Sequence, residues 1–198
     1  MGYGGRVSTL AALLRPRTAF AAAVQRDDVR RGAAVVLASG VASLAFALAA
    51  SALAGVSVAG LVSALLLPVL FLGYWLLQGW LVDAAARTLQ RAGRTRTFLA
   101  VSALAFPTWI TYAVLSLLES AAVRAGGSSG PALAAALSWL TLPALAWFVV
   151  LTVLAIRAVY DVPLLHAVAF AFLPYAVLLA ALLVLGVALG MLHGARLI

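Results

Sequence analysis

The residues of this sequence that could do ionic or acid–base chemistry are a few acids, each with an arginine close by. The three pairs outside the N-terminal region are Asp83 with Arg87, Glu119 with Arg124, and Asp161 with Arg157. The first and the last pair are four positions apart, a spacing that lets two side chains meet on one helix face. Two interpretations are open: ion pairs at helix ends, or ionisable groups held in apolar surroundings for function. Gln78, in an apolar run, is a further polar candidate.

No arrangement typical of a catalytic centre accompanies these residues. His166 and His193 are 27 positions apart and have no carboxylate at metal-ligand spacing, so we expect no metal site and no cofactor. The chain has no cysteine and no lysine, and no serine or threonine within the predicted spans stands in a Gly-x-Ser-x-Gly elbow. The glycine-rich stretch 126–130 lacks the lysine of a phosphate-binding loop. We therefore predict that the protein is not an enzyme.

The composition predicts that the elements carrying these residues lie in a membrane. Of the 198 residues, 66% are hydrophobic and only 9% are charged, whereas soluble domains are about 25% charged. Four long runs contain no Asp, Glu, Lys or Arg: 32–82, 97–118, 125–156 and 162–195. Each is long enough to cross a hydrocarbon core about 30 Å thick, and the first is long enough to cross twice. The predicted fold class is all-α, a polytopic bundle of five transmembrane helices.

Turns and charged connectors bound the five spans. The spans are expected at about 33–53, 61–82, 98–120, 132–159 and 164–191. A tight turn is predicted at 55–60, and a loop rich in Gly, Ser and Pro at 124–131. The domain organisation is then an N-terminal segment 1–31, one transmembrane domain 32–192 and a short tail 193–198. Small residues in the first span favour close helix packing, and the aromatic residues Tyr74, Trp75 and Trp80 are expected in an interfacial belt.

Arginine placement predicts the orientation of the bundle. The N-terminal region holds six arginines, and the connector between the second and third spans holds four: Arg87, Arg91, Arg94 and Arg96. Because cytoplasmic segments carry the excess of basic residues, both regions are expected inside and the C-terminus outside. The expected location is the cytoplasmic membrane. The expected partners are anionic lipid headgroups and a membrane or cytosolic protein, and not nucleic acid.

The N-terminal region is predicted to hold an amphipathic helix. Thr18 is expected to cap a helix that runs to about Arg31, with Ala19 and Phe20 on its apolar side. This helix is expected either to lie on the cytoplasmic interface or to be solvated without a special role. The apolar patch at 7–14 has the layout of a signal peptide, but its shortness and the arginines that follow it argue against cleavage.

Four prolines lie within the second to fifth spans, one in each: Pro68, Pro107, Pro143 and Pro174. A proline inside a helix removes one backbone hydrogen bond and kinks the helix. In a membrane such kinks are tolerated when neighbouring groups satisfy the freed carbonyl. The kinks are interpreted either as hinges of a moving bundle or as static bends that shape a compact one.

Several short motifs resemble those of the Yip1-domain family. They are Arg15-Pro16-x-x-x-Phe20, the connector from Ala86 through Gly93 to Thr97-Phe98 with Ala105-Phe106-Pro107, and Trp147 through Leu154 to Tyr160 followed by Pro163 and Pro174. The resemblance extends from about Arg15 to Leu192. It implies a five-span membrane protein related to factors that bind small GTPases and shape vesicle membranes in eukaryotes. It implies a fold more than a mechanism.

The function predicted from these observations is that of a non-enzymatic integral membrane protein of a prokaryote, which organises the membrane or acts as a scaffold. The arginines of the N-terminal segment and the connector would carry the contacts with lipid or protein. One alternative is a small transporter or channel that uses Gln78, Asp83 or Glu119. Another alternative is an accessory subunit of a larger membrane complex.

Overall fold

In the computed structural model, the described residues are 14–55 and 57–194, with side chains described up to Val187. They form eight α-helices: α1 (Pro16–Arg26), α2 (Val29–Ala54), α3 (Val58–Thr88), α4 (Thr95–Ser102), α5 (Thr108–Ala125), α6 (Gly130–Trp139), α7 (Thr141–Tyr160) and α8 (Leu164–Gly194). Two short 3₁₀ turns, Ala103–Ala105 and Gly127–Ser129, precede α5 and α6. None of the described residues lies in a strand. The predicted patch at 7–14, except Leu14, and the end of the predicted tail lie outside the described residues.

The helices group into five segments that are long and apolar enough to cross a membrane, which confirms the predicted fold class. The segments are Val29–Ala54, Val58–Thr88, Thr95–Ala125, Gly127–Tyr160 and Leu164–Val187. Each begins and ends within a few residues of the predicted span. The third segment consists of α4 and α5, and the fourth consists of α6 and α7. The five segments therefore consist of seven helices, α2 to α8, and α1 belongs to none of them.

The third segment forms the centre of the bundle. Every residue from Phe98 to Phe106 is buried, and this stretch contacts α2, α3 and α7. Pro107 ends the stretch, because its ring nitrogen cannot donate the next helical hydrogen bond. The chain responds with a 3₁₀ turn, in which the N–H of Phe106 donates to the carbonyl of Ala103. The hydroxyl of Thr108 donates to the carbonyl of Ala105 at 2.7 Å, so the polar groups around the proline remain paired.

The four prolines do not share one local structure. Pro107 lies at the break between the 3₁₀ turn and α5, and Pro143 lies in the first turn of α7, just after a break at Leu140. Pro68 and Pro174 lie inside the continuous helices α3 and α8. Two of the prolines thus accompany interruptions of a span, and two are accommodated within an uninterrupted helix.

The small residues of α2 allow the close packing predicted for them. Ser39, Gly40 and Ser43 are all buried, on the helix that packs most extensively against α3 and α5. A Cβ atom on Gly40 would lie 2.8 Å from the Cα of Pro68. The backbones of α2 and α3 therefore approach each other at a point where only glycine fits.

The prediction of an aromatic belt near the end of α3 is wrong for two of its three residues. Trp75 is 1% exposed, and its indole N–H donates to the carbonyl of Leu99 at 3.1 Å. The ring of Tyr74 packs against Phe106, Phe148 and Tyr175 inside the bundle. Only Trp80 is exposed, at 64%. The rings of Tyr74 and Trp75 fill the space between α3 and its neighbours, where buried aromatic area stabilises packing most.

The N-terminal helix differs from the prediction at both ends. It runs from Pro16 to Arg26, and the hydroxyl of Thr18 donates to the carbonyl of Arg15 inside the first turn, so Thr18 is not the cap. Asp27 takes a left-handed backbone conformation with φ 45° and ends the helix. Asp28 then caps α2 by accepting from the N–H of Arg31 at 3.0 Å. The apolar side of α1 packs on the bundle: Phe20 is 1% exposed, and α1 contacts α4 and α7.

The predicted loop at 124–131 is shorter in the structure. Helix α5 extends to Ala125, and α6 already begins at Gly130 with Pro131 in its first turn, a position that proline favours because its missing N–H is not needed there. In the turn between α2 and α3, the side chain of Ser57 caps α3 by accepting from the N–H of Gly60 at 3.0 Å.

Candidate functional site at the arginine-rich end

Asp83 is the centre of a buried polar cluster at one end of the bundle. The residue is 3% exposed. Its Oδ1 accepts hydrogen bonds from the backbone N–H of Arg94 at 2.7 Å and from the hydroxyl of Tyr160 at 2.8 Å. Its Oδ2 accepts from Nε of Arg87 at 2.9 Å and lies 2.8 Å from Nη2 of the same guanidinium. The contact predicted from the four-residue spacing forms, and the same carboxylate also interacts with Arg94, Tyr160 and the side chain of Thr95.

Two arginines of the connector bond to the end of α7. Nη2 of Arg91 donates to the carbonyl of Asp161 at 2.8 Å, and Nη1 of Arg94 donates to the carbonyl of Val159 at 3.3 Å. The last carbonyls of a helix lack partners within the helix and carry partial negative charge, so guanidinium groups stabilise them. Arg91 and Arg94 thus tie the connector to α7. Of the connector's four arginines, Arg87, Arg91 and Arg94 bond to other groups of the protein through their guanidinium groups. The guanidinium of Arg96 forms no such bond with a described residue.

The remaining predicted pairs do not form in the structure. Asp161 ends α7 with a left-handed φ of 49°, and its N–H bonds to the carbonyl of Arg157, but the two side chains make no ion pair. At the opposite end, Nη1 of Arg124 donates to the carbonyl of Leu53 at 2.9 Å and so caps α2. Glu119 does not pair with it, and the buried Oε1 of Glu119 has no hydrogen-bond partner among the described residues.

Gln78 lies deeper in α3 than Asp83 and is 1% exposed. Neither its amide oxygen nor its amide nitrogen has a hydrogen-bond partner among the described residues. The hydroxyls of Ser43 and Thr152 share this property. A buried polar group without a partner costs free energy, and Gln78 is the sequence candidate in which both polar atoms of the side chain are buried without a partner among the described residues.

The arginines of the described chain are concentrated at the end of the bundle where Asp83 lies, which we call the arginine-rich end. Of the eleven described arginines, all except Arg124 lie there: Arg15, Arg17, Arg26, Arg30, Arg31, Arg87, Arg91, Arg94, Arg96 and Arg157. The same end holds four acids: Asp27, Asp28, Asp83 and Asp161. The excess of positive charge there is six, from ten arginines minus four acids.

In half of these arginines the guanidinium group forms no hydrogen bond or ion pair with any described residue. They are Arg15, Arg17, Arg30, Arg96 and Arg157, which we call the five unpaired arginines. All five are exposed. They come from α1, α2, α4 and α7, so four separate elements contribute to one basic surface.

The sequence patterns did not indicate one side chain and two backbone carbonyls that complete the site. Tyr160 was considered only as part of a motif, and the carbonyls at the end of α7 were not considered. A tyrosine at the end of an apolar run was the available signal, because a buried phenol usually finds a hydrogen-bond partner. The partner, Asp83, is 77 positions away in the chain, and no local pattern connects the two.

Comparison with known proteins identifies a family and no individual relative. The Yip1 domain family matches residues 10–185. No curated protein and no solved structure matches the chain significantly. The matched range includes every residue of the Asp83 cluster and the whole of α1 through α7.

Proposed function

Because the chain belongs to the Yip1 domain family, a family of multi-pass membrane proteins, we propose that it is a non-enzymatic scaffold that organises the membrane around it. Its place is the cytoplasmic membrane of a prokaryote, with the arginine-rich end in the cytoplasm and the C-terminus outside. Its contacts are with anionic lipid headgroups and with a protein partner that docks on the same basic end.

The observation that carries this proposal is the set of five unpaired arginines on one end of the bundle. An arginine that serves folding finds a carboxylate or a carbonyl, as Arg87, Arg91 and Arg94 do. The five unpaired arginines have no such internal role, yet they lie together on elements that the core holds in place. They are therefore available for a partner that carries negative charge.

Anionic lipid is the partner that this geometry suits best. Three of the five unpaired arginines, Arg30, Arg96 and Arg157, lie in the first or last turn of an apolar span, and Arg15 and Arg17 lie at the start of α1, which packs on the same end. A cytoplasmic leaflet that contains anionic lipid attracts basic residues near its surface by about 1 kcal/mol each. Five such residues therefore give a substantial local enrichment of anionic lipid, which salt weakens.

The experiment uses the full chain in nanodiscs made from equal amounts of phosphatidylglycerol and phosphatidylcholine. The lipid that stays with the protein after mild detergent extraction is quantified by mass spectrometry. The wild type is expected to retain an excess of phosphatidylglycerol, and a variant with all five unpaired arginines changed to Gln is expected to retain none. A matched variant with Lys at the same five positions keeps the charge and is expected to retain most of the excess.

Two results would contradict the proposal. One is an equal lipid ratio for the wild type and the five-Gln variant. The other is a set of crosslinked partners in native membranes that the five-Gln variant leaves unchanged. Arg26, Arg31, Arg87, Arg91 and Arg94 stay in place in this variant, so orientation and packing are preserved.

A second candidate function, a small transporter, rests on Gln78 and its unbonded amide. Polar groups at membrane depth often mark solute pathways. A transport role for Gln78 predicts that proteoliposomes loaded with a pH-sensitive dye show an ion flux, which Gln78→Leu abolishes. The exposed Gln25 supplies the matched control, since Gln25→Leu would leave the flux unchanged. An absence of flux in the wild type would exclude proton transport as the function.

A further inference from the structure

An open cleft of about 350 Å³ lies between α1 and the end of α7 at the arginine-rich end. Its lining is Arg17 and Phe20 from α1, Leu154, Arg157 and Ala158 from α7, and Asp161 just beyond α7. Two of the five unpaired arginines therefore face one cavity from two different helices. We call this cavity the α1–α7 cleft.

The α1–α7 cleft differs from the neighbouring cavity in how its arginines are used. The neighbour, about 280 Å³, is lined by Arg91 and Arg94, and both donate to carbonyls at the end of α7. The guanidinium groups of Arg17 and Arg157 have no hydrogen bond or ion pair with any described residue, and the carboxylate of Asp161 pairs with neither. With two arginines and one acid, the α1–α7 cleft keeps one net positive charge.

The two arginines are held in position by the core beneath them. Phe20 lies three residues after Arg17, almost one turn further along α1, and is 1% exposed within the core. Arg157 lies in the last turn of α7, between the buried residues Ile156 and Val159. The packed helices therefore fix the backbone positions from which the two side chains extend, which reduces the entropy that binding would cost.

The lining changes from charged to apolar along α7. Leu154 lies one turn before Arg157, on the membrane side of it, and lines the same cavity. A free anion would need only the arginines, whereas a lipid places its phosphate at the rim and its glycerol and acyl carbons further in. The cleft has surfaces for both parts.

We propose that the α1–α7 cleft is a binding site for one anionic phospholipid, whose phosphate sits between Arg17 and Arg157 and whose glycerol and upper acyl chains contact Leu154. The site rests on the proposed function, because it assigns one specific position to the anionic lipid that the arginine-rich end attracts. It also fixes α1 to α7, since the lipid bridges an arginine from each.

The test is a titration of the detergent-solubilised full chain with phosphatidylglycerol, read by native mass spectrometry as the dissociation constant of the first lipid. The double variant Arg17→Gln, Arg157→Gln is expected to bind that lipid at least about tenfold more weakly, whereas the matched control Arg15→Gln, Arg96→Gln changes it by less than about twofold. Ala158→Asp, which adds a negative charge to the cleft and removes no arginine, is expected to weaken binding as the double variant does. Phosphatidylcholine is expected to bind more weakly than phosphatidylglycerol.

Other outcomes overturn this inference in distinguishable ways. Equal losses in the double variant and its matched control would mean that the attraction is spread over the basic surface, which contradicts the site and leaves the proposed function standing. Displacement of phosphatidylglycerol by millimolar inorganic phosphate would show a free-anion site and not a lipid site. Unchanged lipid binding in the double variant and in the five-Gln variant would contradict the site and the proposed function together.

Discussion

The hydroxyl of Tyr160 donates a buried hydrogen bond of 2.8 Å to Oδ1 of Asp83, across 77 positions of the chain. It joins the end of α7 to α3. The same carboxylate oxygen accepts the N–H of Arg94 at 2.7 Å, at the residue that precedes α4. One carboxylate therefore connects three elements of the bundle at the arginine-rich end.

Changing Tyr160 to Phe is expected to destabilise the protein by about 1.5–3 kcal/mol, the usual contribution of a hydrogen bond to a charged group. The ring of Tyr160, which packs on Phe98, would remain. The measurement is unfolding by heat or denaturant in detergent. Tyr112→Phe is the control, because Tyr112 is 39% exposed. Equal stability of the two variants would show that the Tyr160–Asp83 bond contributes nothing.

Asp83→Asn is expected to destabilise the protein more than Arg87→Gln, although the two residues form one ion pair. In Asp83→Asn the amide oxygen can still accept from Arg94 and Tyr160, but the negative charge is lost and a buried NH2 group faces the guanidinium of Arg87, which costs about 2 kcal/mol or more. The side chain of Arg87 is 65% exposed, and exposed ion pairs contribute about 1 kcal/mol or less. Unfolding of both variants under the same conditions measures the difference. A larger loss for Arg87→Gln would contradict the assignment of Asp83 as the centre of the cluster.

The Asp83 cluster shows where local sequence patterns are informative and where they are not. The Asp83–Arg87 contact follows from helix periodicity alone, so it was predictable. The bonds from Tyr160, Arg91 and Arg94 depend on how α3, α4 and α7 pack, which no spacing encodes. Without the structure, Arg91 and Arg94 counted as surface charge available to a partner. They in fact bond to the carbonyls at the end of α7.

The spans themselves were predictable, because uncharged runs of this length have few alternatives. The breaks inside the third and fourth spans were less predictable. All four prolines were expected to kink their spans, and Pro143 to break the fourth. Pro107 and Pro143 accompany breaks, whereas Pro68 and Pro174 lie within uninterrupted helices. The difference depends on which neighbouring groups satisfy the backbone at each position. That information lies in the tertiary structure.

Gly40→Ala is expected to weaken the packing of α2 on α3. The added Cβ would lie 2.8 Å from the Cα of Pro68, so the helices must move apart, at a cost of about 1–3 kcal/mol. Gly73→Ala is the matched control, because its added Cβ would meet no atom within 4 Å. The readout is the stability of the two variants in detergent. A tolerated Gly40→Ala would mean that α2 and α3 are not in close contact there.

Phe20→Ala is expected to release α1 from the bundle. Phe20 is 1% exposed and belongs to the core, and loss of a buried phenylalanine side chain costs about 3–5 kcal/mol. Released α1 should be cleaved faster by trypsin at Arg17 and Arg26, as followed by N-terminal mass mapping. Leu14→Ala is the control, since Leu14 is 75% exposed. Unchanged cleavage in Phe20→Ala would show that α1 is held by other contacts.

The proposed function requires that the arginine-rich end face the cytoplasm. Because the chain has no cysteine, a single introduced thiol can report which side of the membrane that end occupies. Ala92→Cys places a thiol in the exposed connector of that end, and Ser128→Cys places one in the exposed turn of the opposite end. Each variant is treated in intact cells with a membrane-impermeant maleimide. If the arginine-rich end is cytoplasmic, Ser128→Cys is labelled at once and Ala92→Cys is labelled only after the cells are permeabilised. Labelling of Ala92→Cys in intact cells, with Ser128→Cys protected, would contradict this orientation.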